Sequence, residues 1–449
     1  MKLWCELAWL EGERPESGVV IEVDGGRIAA IKVGVAAPPA GSERLGGLVI
    51  PGLANAHSHA FQRALRGRTH GNSSRGSFWT WRDQMYALAE SVTPDAMHTL
   101  TRATFAEMAL AGVTLVGEFH YLHHGPGGAR YEDPNAMGHA VIRAANEAGL
   151  RLTLLDTCYL HGGIGAAAEG AQLRFCDADA DDWRQRADKL AAGVGGSEDS
   201  VRIGAAIHSV RAVDPASAET VVAWAADRTA PLHAHLSEQP AENEACREAY
   251  NASPTELLER ARALSPDFTA VHATHVSTKD IRLLGDARAS CCLCPTTERD
   301  LADGVGPARA LCDAGARLAL GTDSNAIIEP LEDARAVELD ERLVTGVRGN
   351  HEARTLLRAA TRGGYESLGW SEGGSLREGG LADLVAFRLG GVRLAGASAD
   401  HALGALVFAG AAADVSDVMV GGRFVVRDGA HVALDVPHEL QAAVAGLDW

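Results

Sequence analysis

The sequence predicts an α/β protein, a (β/α)8 barrel of the TIM type carrying a small β-sandwich domain built from both chain ends. Three observations lead there. Eight short apolar runs alternate with longer helical patterns through the middle of the chain. Both ends show short alternating strands around turn glycines instead. Imidazoles and carboxylates stand where the apolar runs stop, which is where a barrel of parallel strands keeps its chemistry.

In chain order, residues 1 to about 50 alternate apolar and polar, and Asp24-Gly25-Gly26 reads as a hairpin turn. The last 70 or so residues look the same, with Asp383 to Phe387 and Val418 to Gly429 as strand and turn patterns. The boundaries that follow are 1–50 with 377–449 for the end domain and 51–376 for the barrel. The run Gly47-Leu48-Val49-Ile50 is read as the first barrel strand. The others are Val113 to Phe119, Arg151 to Thr157, Val201 to Ser209, Pro231 to Leu236, Phe268 to His275, Ala289 to Cys294 and Arg317 to Thr322. Helical patterns such as Pro94 to Ala111, Asn135 to Ala148, Pro215 to Ala226, Pro254 to Ala263 and Ala353 to Leu368 fill many of the gaps, so the strands should run parallel. Gly67 to Arg82 and Gly162 to Gly170 read as loops, the first long enough to be functional.

Composition narrows the function. With 41 basic and 59 acidic residues the net charge is -18, which argues against a nucleic-acid footprint. No apolar run approaches the ~20 residues of a membrane span. The first residues lack a basic stretch followed by an apolar one, so no signal peptide is expected. The eight cysteines are scattered apart from Cys291, Cys292 and Cys294, which read as reduced core thiols of a cytoplasmic protein.

The chemistry begins in Val49–Arg63, VIPGLANAHSHAFQR. Residues two apart on an extended backbone share a side, so His57 and His59 can grip one metal ion. His233 and His235 also share a face in LHAHLSE; spacing does not choose between them, and position nearer the strand end favours His235. Asp323 closes the last run, in LGTDSN. Standing alone it would read as a helix cap; with three histidines it completes a donor set suited to catalytic Zn(II), though Fe(II) and Mn(II) fit the same donors. His272 near the end of the sixth run, and Glu238, three residues past His235, are placed to handle protons beside a metal-activated water.

The order PGLANAHSH, HAHLSE, VHATH and GTDS resembles the amidohydrolase superfamily, in its mononuclear deaminase branch, over essentially the whole chain. Within that branch HAFQRALRGRTH, FWTWRDQMY, EFHY and CPTTERDLADG are most similar to the formimidoylglutamate deiminases. Binuclear members use a carboxylated lysine on the fourth strand. Here that strand reads IGAAIHS, and the four lysines (Lys2, Lys32, Lys189, Lys279) lie elsewhere, so one metal per chain is expected. The resemblance implies Zn(II) on His57, His59, His235 and Asp323, with Asp323, Glu238 and His272 catalytic. It implies that Gln62, Arg82, Tyr121, His208 and Arg211 bind the glutamate portion of N-formimino-L-glutamate, a small dicarboxylate of histidine breakdown. Two arginines at one barrel mouth fit two carboxylates. The alternative keeps the metal site and deaminates a heteroaromatic amine of the guanine or adenosine type. A homodimer is implied by the same likeness. Trp79 and Trp81 are expected to pack a loop, and His120, His123, His124, His233 and His275 to be structural.

Overall fold

The computed structural model describes residues 1–70, 76–194, 200–447 and 449. Two eight-stranded sheets organise it. The first strands are β1 (Lys2–Ala8), β2 (Glu16–Asp24), β3 (Arg27–Lys32) and β4 (Glu43–Pro51). The barrel follows as β5 (Leu53–Ser58), β6 (Val113–His120), β7 (Arg151–Cys158), β8 (Val201–Ile207), β9 (Leu232–Leu236), β10 (Phe268–His272), β11 (Ser290–Leu293) and β12 (Arg317–Leu320). The chain ends with β13 (Leu384–Phe387), β14 (Val415–Val420), β15 (Arg423–Arg427) and β16 (Ala430–His431).

Strands β5 to β12 pair in sequence order, each parallel to the next. Every residue of β5, β6 and β7 is buried, as expected for parallel strands covered by helices. The sheet closes at its C-terminal rim. Ser58 bridges Asp323, and the amides of Thr322 and Asp323 both donate to the His57 carbonyl at 3.1 and 2.9 Å. Gly321 permits this closure: a Cβ there would lie 2.7 Å from that of His57. The connecting helices start where capping chemistry says they should. Thr93, Asp214 and Ser253 each cap a helix that opens with proline.

The run Gly47–Ile50 is not a barrel strand. It lies in β4, which pairs with β1 and with β13 in the second sheet. The run reads as apolar throughout because both its faces are covered: Leu48 and Ile50 join the main core, Val49 the smaller core of the end sheet. Pro51-Gly52 passes the chain from one sheet to the other, and the first barrel strand is β5, which carries His57 itself. The end sheet, ordered β16-β15-β14-β13-β4-β1-β2-β3, draws on both termini and encloses its own core of Leu3, Val19, Ile21, Leu384 and Met419. A buried ion pair pins it to the barrel: Arg151 of β7 donates to Asp383 at 2.7 Å, and Tyr365 donates to the same carboxylate at 2.8 Å. Cys291, Cys292 and Cys294 are free, buried thiols. No helix among the described residues is long and apolar enough to cross a membrane.

The expectation of a loop over Gly67 to Arg82 holds only in part. Residues 71–75 lie outside the described residues, and from Phe78 the chain is a helix, Phe78–Ser91. Trp79, Trp81 and Arg82 sit on its first turns. Ser77 begins it, donating its amide to the Thr80 hydroxyl at 2.9 Å.

Candidate active site

The barrel rim gathers the expected residues. His57 lies within β5 and His59 just after it, with ring centroids 4.7 Å apart. His235 is the next-to-last residue of β9, His272 the last of β10, and Asp323 follows β12 by three residues. Nε2 of His57 and Nε2 of His59 each stand 3.3 Å from Asp323 Oδ1. His235 Nε2 stands 3.2 Å from His57 Nε2. The ligand atoms of His57, His235, His272 and Asp323 all lie within 4.8 Å of one another.

This geometry fits a metal ion. Donors about 2.1 Å from one ion stand roughly 3.4 Å apart at tetrahedral angles. The rings are also turned correctly. His59 Nδ1 donates to the Phe119 carbonyl at 2.9 Å, and His235 Nδ1 to the His208 carbonyl at 2.8 Å, so each presents an Nε2 lone pair to the cluster. Burial pushes His57 down to about 3 despite Asp323 beside it, and lowers His59 and His235, so all three imidazoles are neutral. Asp323 goes the other way. Burial would raise it, but the hydrogen bond from His57 and the charge of His272 hold it well below the usual carboxylate range. Neutral imidazoles facing one ionised carboxylate at this spacing form a cation-ready set.

His233 turns elsewhere, pairing through Nε2 with the Ser367 carbonyl at 2.8 Å. His275 pairs with the Asp303 carbonyl at 2.7 Å. His124 faces Asp177 at 3.2 Å, in a buried group with Arg186 and Asp156. None of these, nor His120 or His123, lines the cavity above the cluster.

That cavity is lined by His59, His235, His272 and Asp323 at its base. Gln62, Arg82, Tyr121, His208, Arg211 and Glu238 line it higher up, so the residues expected to bind and to catalyse share one chamber. Gln62 donates to the Tyr121 hydroxyl at 2.8 Å. Burial, with Arg211 adding to it, holds His208 neutral. Glu238 Oε1 lies 3.9 Å from His272 Nε2, and Oε2 lies 3.5 Å from Arg211. Burial raises Glu238 although His272 and Arg211 oppose it. On His272 burial opposes the charge, but Glu238, Glu298 and Asp323 outweigh it and lift the ring to about 10. Glu238 and His272 thus face one another across 3.9 Å beside the cluster, a carboxyl and an imidazole placed to pass a proton.

The two arginines differ. Arg82 lies over Trp79 at 4.5 Å and beside Tyr86 at 5.3 Å, and its buried Nε meets no acceptor among the described residues. Arg211 is already shared between Glu238 and Glu242, whose Oε2 is 3.3 Å from its Nε. Trp79 and Trp81 line the cavity rather than packing a loop, together with Phe78, Tyr86, Tyr159 and Phe175. Sequence reasoning did not reach Glu242 or this aromatic wall. The spacing Glu238-x-x-x-Glu242 at a helix start was the available signal for the acid. Four of the wall residues lie in the run FWTWRDQMY, which was the available signal; Tyr159 and Phe175 join it from separate segments.

Comparison with known proteins agrees with this architecture. The chain is 38% identical over 401 residues to a formimidoylglutamate deiminase of Pseudomonas aeruginosa, covering 87% of each. It superposes on the crystal structure of an amidohydrolase from Brucella melitensis with a TM-score of 0.91 at 34% identity, covering 99% of both chains. It also matches an atrazine chlorohydrolase of Arthrobacter aurescens solved with zinc, at a TM-score of 0.86 and 25% identity over 99% of both. The amidohydrolase family model matches residues 48–425, from the end of β4 through all eight barrel strands into β15, and on this ground the chain belongs to the amidohydrolase family.

Proposed function

We propose that this chain is a metal-dependent iminohydrolase that converts N-formimino-L-glutamate to N-formyl-L-glutamate and ammonia. The observation that carries the substrate is the pair of guanidinium groups, Arg82 and Arg211, lining the same chamber as the His/Asp cluster. Arginine holds carboxylates by paired, charge-assisted bonds, and this substrate offers two. Likeness to the Pseudomonas aeruginosa formimidoylglutamate deiminase supports the same choice, and a step in histidine breakdown and a homodimer are part of the same proposal.

His57, His59, His235 and Asp323 would hold the metal. When bound there, Zn(II) supplies a Lewis acid that lowers the pKa of water toward neutrality. Asp323, ionised at neutral pH, accepts a proton from the attacking water. The water oxygen adds to the formimino carbon, and the Glu238–His272 pair gives a proton to the terminal nitrogen. The hydroxyl proton of the resulting adduct moves to that nitrogen as its bond to carbon breaks, so ammonia leaves and a formyl group remains on the glutamate nitrogen, and the proton taken by Asp323 returns to the Glu238–His272 pair. Gln62, Tyr121 and His208 complete the polar contacts to the glutamate portion.

The second reading, deamination of a ring amine, is favoured by the aromatic wall of Phe78, Trp79, Trp81 and Tyr86. Ammonia release from N-formimino-L-glutamate, guanine, adenosine and N-formimino-L-aspartate, with zinc-loaded protein, separates the two. Release confined to the glutamate compound is expected. Release confined to a ring amine would replace the substrate and keep the metal site.

A further inference from the structure

Glu298 has no part in the reaction as written, yet it stands behind His272. It lies on the helix Pro295–Leu301 after β11 and is 5% exposed. Its Oε1 accepts from the Cys294 amide at 2.9 Å and lies 3.4 Å from His272 Nδ1. His272 is itself 1% exposed, and its other nitrogen faces Glu238. Glu298, His272 and Glu238 therefore form a line, carboxylate–imidazole–carboxylate, in which His272 and Glu238 line the cavity and Glu298 does not.

The geometry points to Glu298 as a positioning residue for His272. A carboxylate accepting from Nδ1 fixes the ring's rotation and keeps a proton on that nitrogen, leaving Nε2 to exchange protons with Glu238. Its negative charge also balances the positive ring that exists while the proton is in transit. His272 is the last paired residue of its strand and has φ 68°, so the chain leaves the ladder in a left-handed turn at the residue whose ring Glu298 contacts. The bond to the Cys294 amide gives Glu298 a second function, as a helix cap. The carboxylate that caps this helix is thus the one that orients the ring.

The inference rests on the proposed function for the identity of the substrate but not for its first test. In zinc-loaded protein labelled with 15N-histidine, with His272→Gln used only to assign the resonances, the proton should reside on His272 Nδ1. An Nδ1 without a proton overturns the proposal whatever the substrate proves to be. The second test is Glu298→Gln, which keeps an acceptor for both the cap and the ring and removes the charge. It should lower kcat by about 10–100-fold with KM and melting temperature unchanged. A variant with wild-type kcat would leave Glu298 a cap only and overturn the proposal. Should the wild type not turn over N-formimino-L-glutamate, the proposed function fails, and the resonance of His272 still decides for or against Glu298.

Discussion

Replacing Arg82 by methionine is the sharpest test of the substrate reading. Methionine keeps an unbranched apolar stem and removes the guanidinium together with its stacking on Trp79. Arg82 stacks on Trp79 and, unlike Arg211, has no acid partner among the described residues, so no side-chain carboxylate competes with a ligand for it. A charge-assisted hydrogen bond contributes about 1.5–3 kcal/mol, and a paired set somewhat more. Loss of about 3 kcal/mol of substrate binding corresponds to roughly 100-fold in kcat/KM. It should fall on KM, because the carboxylate is held equally before and during reaction. The control is Arg211→Met. That change strands Glu242, whose side chain is fully buried, beside Glu238. Removing one partner of a buried pair costs about 3 kcal/mol or more, so this variant should lose stability as well as activity. Ammonia release followed with a coupled dehydrogenase, beside thermal melts, reads both. Arg82→Met with an unchanged kcat/KM on N-formimino-L-glutamate would refute the reasoning. So would a loss confined to ring-amine deamination.

Three further outcomes follow from the structure. Chelation should abolish turnover, zinc should restore it, and elemental analysis should find one metal per chain, because β8 offers no lysine for a second; two metals per chain would contradict this. Gly321→Ala should cost about 1–3 kcal/mol in a denaturant melt, because its Cβ would fall 2.7 Å from that of His57 where the barrel closes, and zinc affinity should drop with it. Burial opposes the charge on Asp177, but Arg186 and His124 hold its pKa far below the usual range. Its stabilising contribution is therefore complete above the unfolded value of ~3.9 and is lost as pH falls toward the folded one. Below pH ~4 the wild type should lose about 1.4 kcal/mol per pH unit through this group, and Asp177→Asn should lack that slope; parallel curves would remove Asp177 from the acid response.

The ligand-bearing residues were legible because their signal is local. His57 and His59 show their shared face by spacing alone, and His235, His272 and Asp323 each close or nearly close an apolar run. The barrel closure brings such ends together whatever lies between them. The misplaced first strand shows where that logic stops. Leu48, Val49 and Ile50 are apolar because β4 separates two cores, and a strand buried on both faces reads alike in either sheet. Only the break at Pro51-Gly52 divides them, and a proline-glycine pair marks the end of a strand as readily as a passage between sheets. The helix at Phe78 was absorbed into a loop for a related reason: the polar stretch before it ends at Ser77, a residue equally at home in a loop or at a helix start.

Glu242 and Glu298 were hidden by a different cause. Each is an acid in the first turn of a helix, where the positive end of the dipole already explains it. Sequence supplies that sufficient reason and no other. What sets these two apart is position in space: Glu242 is 3.3 Å from Arg211, and Glu298 is 3.4 Å from His272. Glu298 also accepts from the amide that begins its helix and Glu242 from the Ser237 amide just before its own, so each carboxylate has a backbone partner as well as one at the site. At a barrel rim this economy is a consequence of the fold, since the helix after each strand begins beside the residue that ends it. An acid that caps such a helix therefore stands within reach of the chemistry, and first-turn acids in barrel enzymes merit a distance check before they are assigned to the dipole.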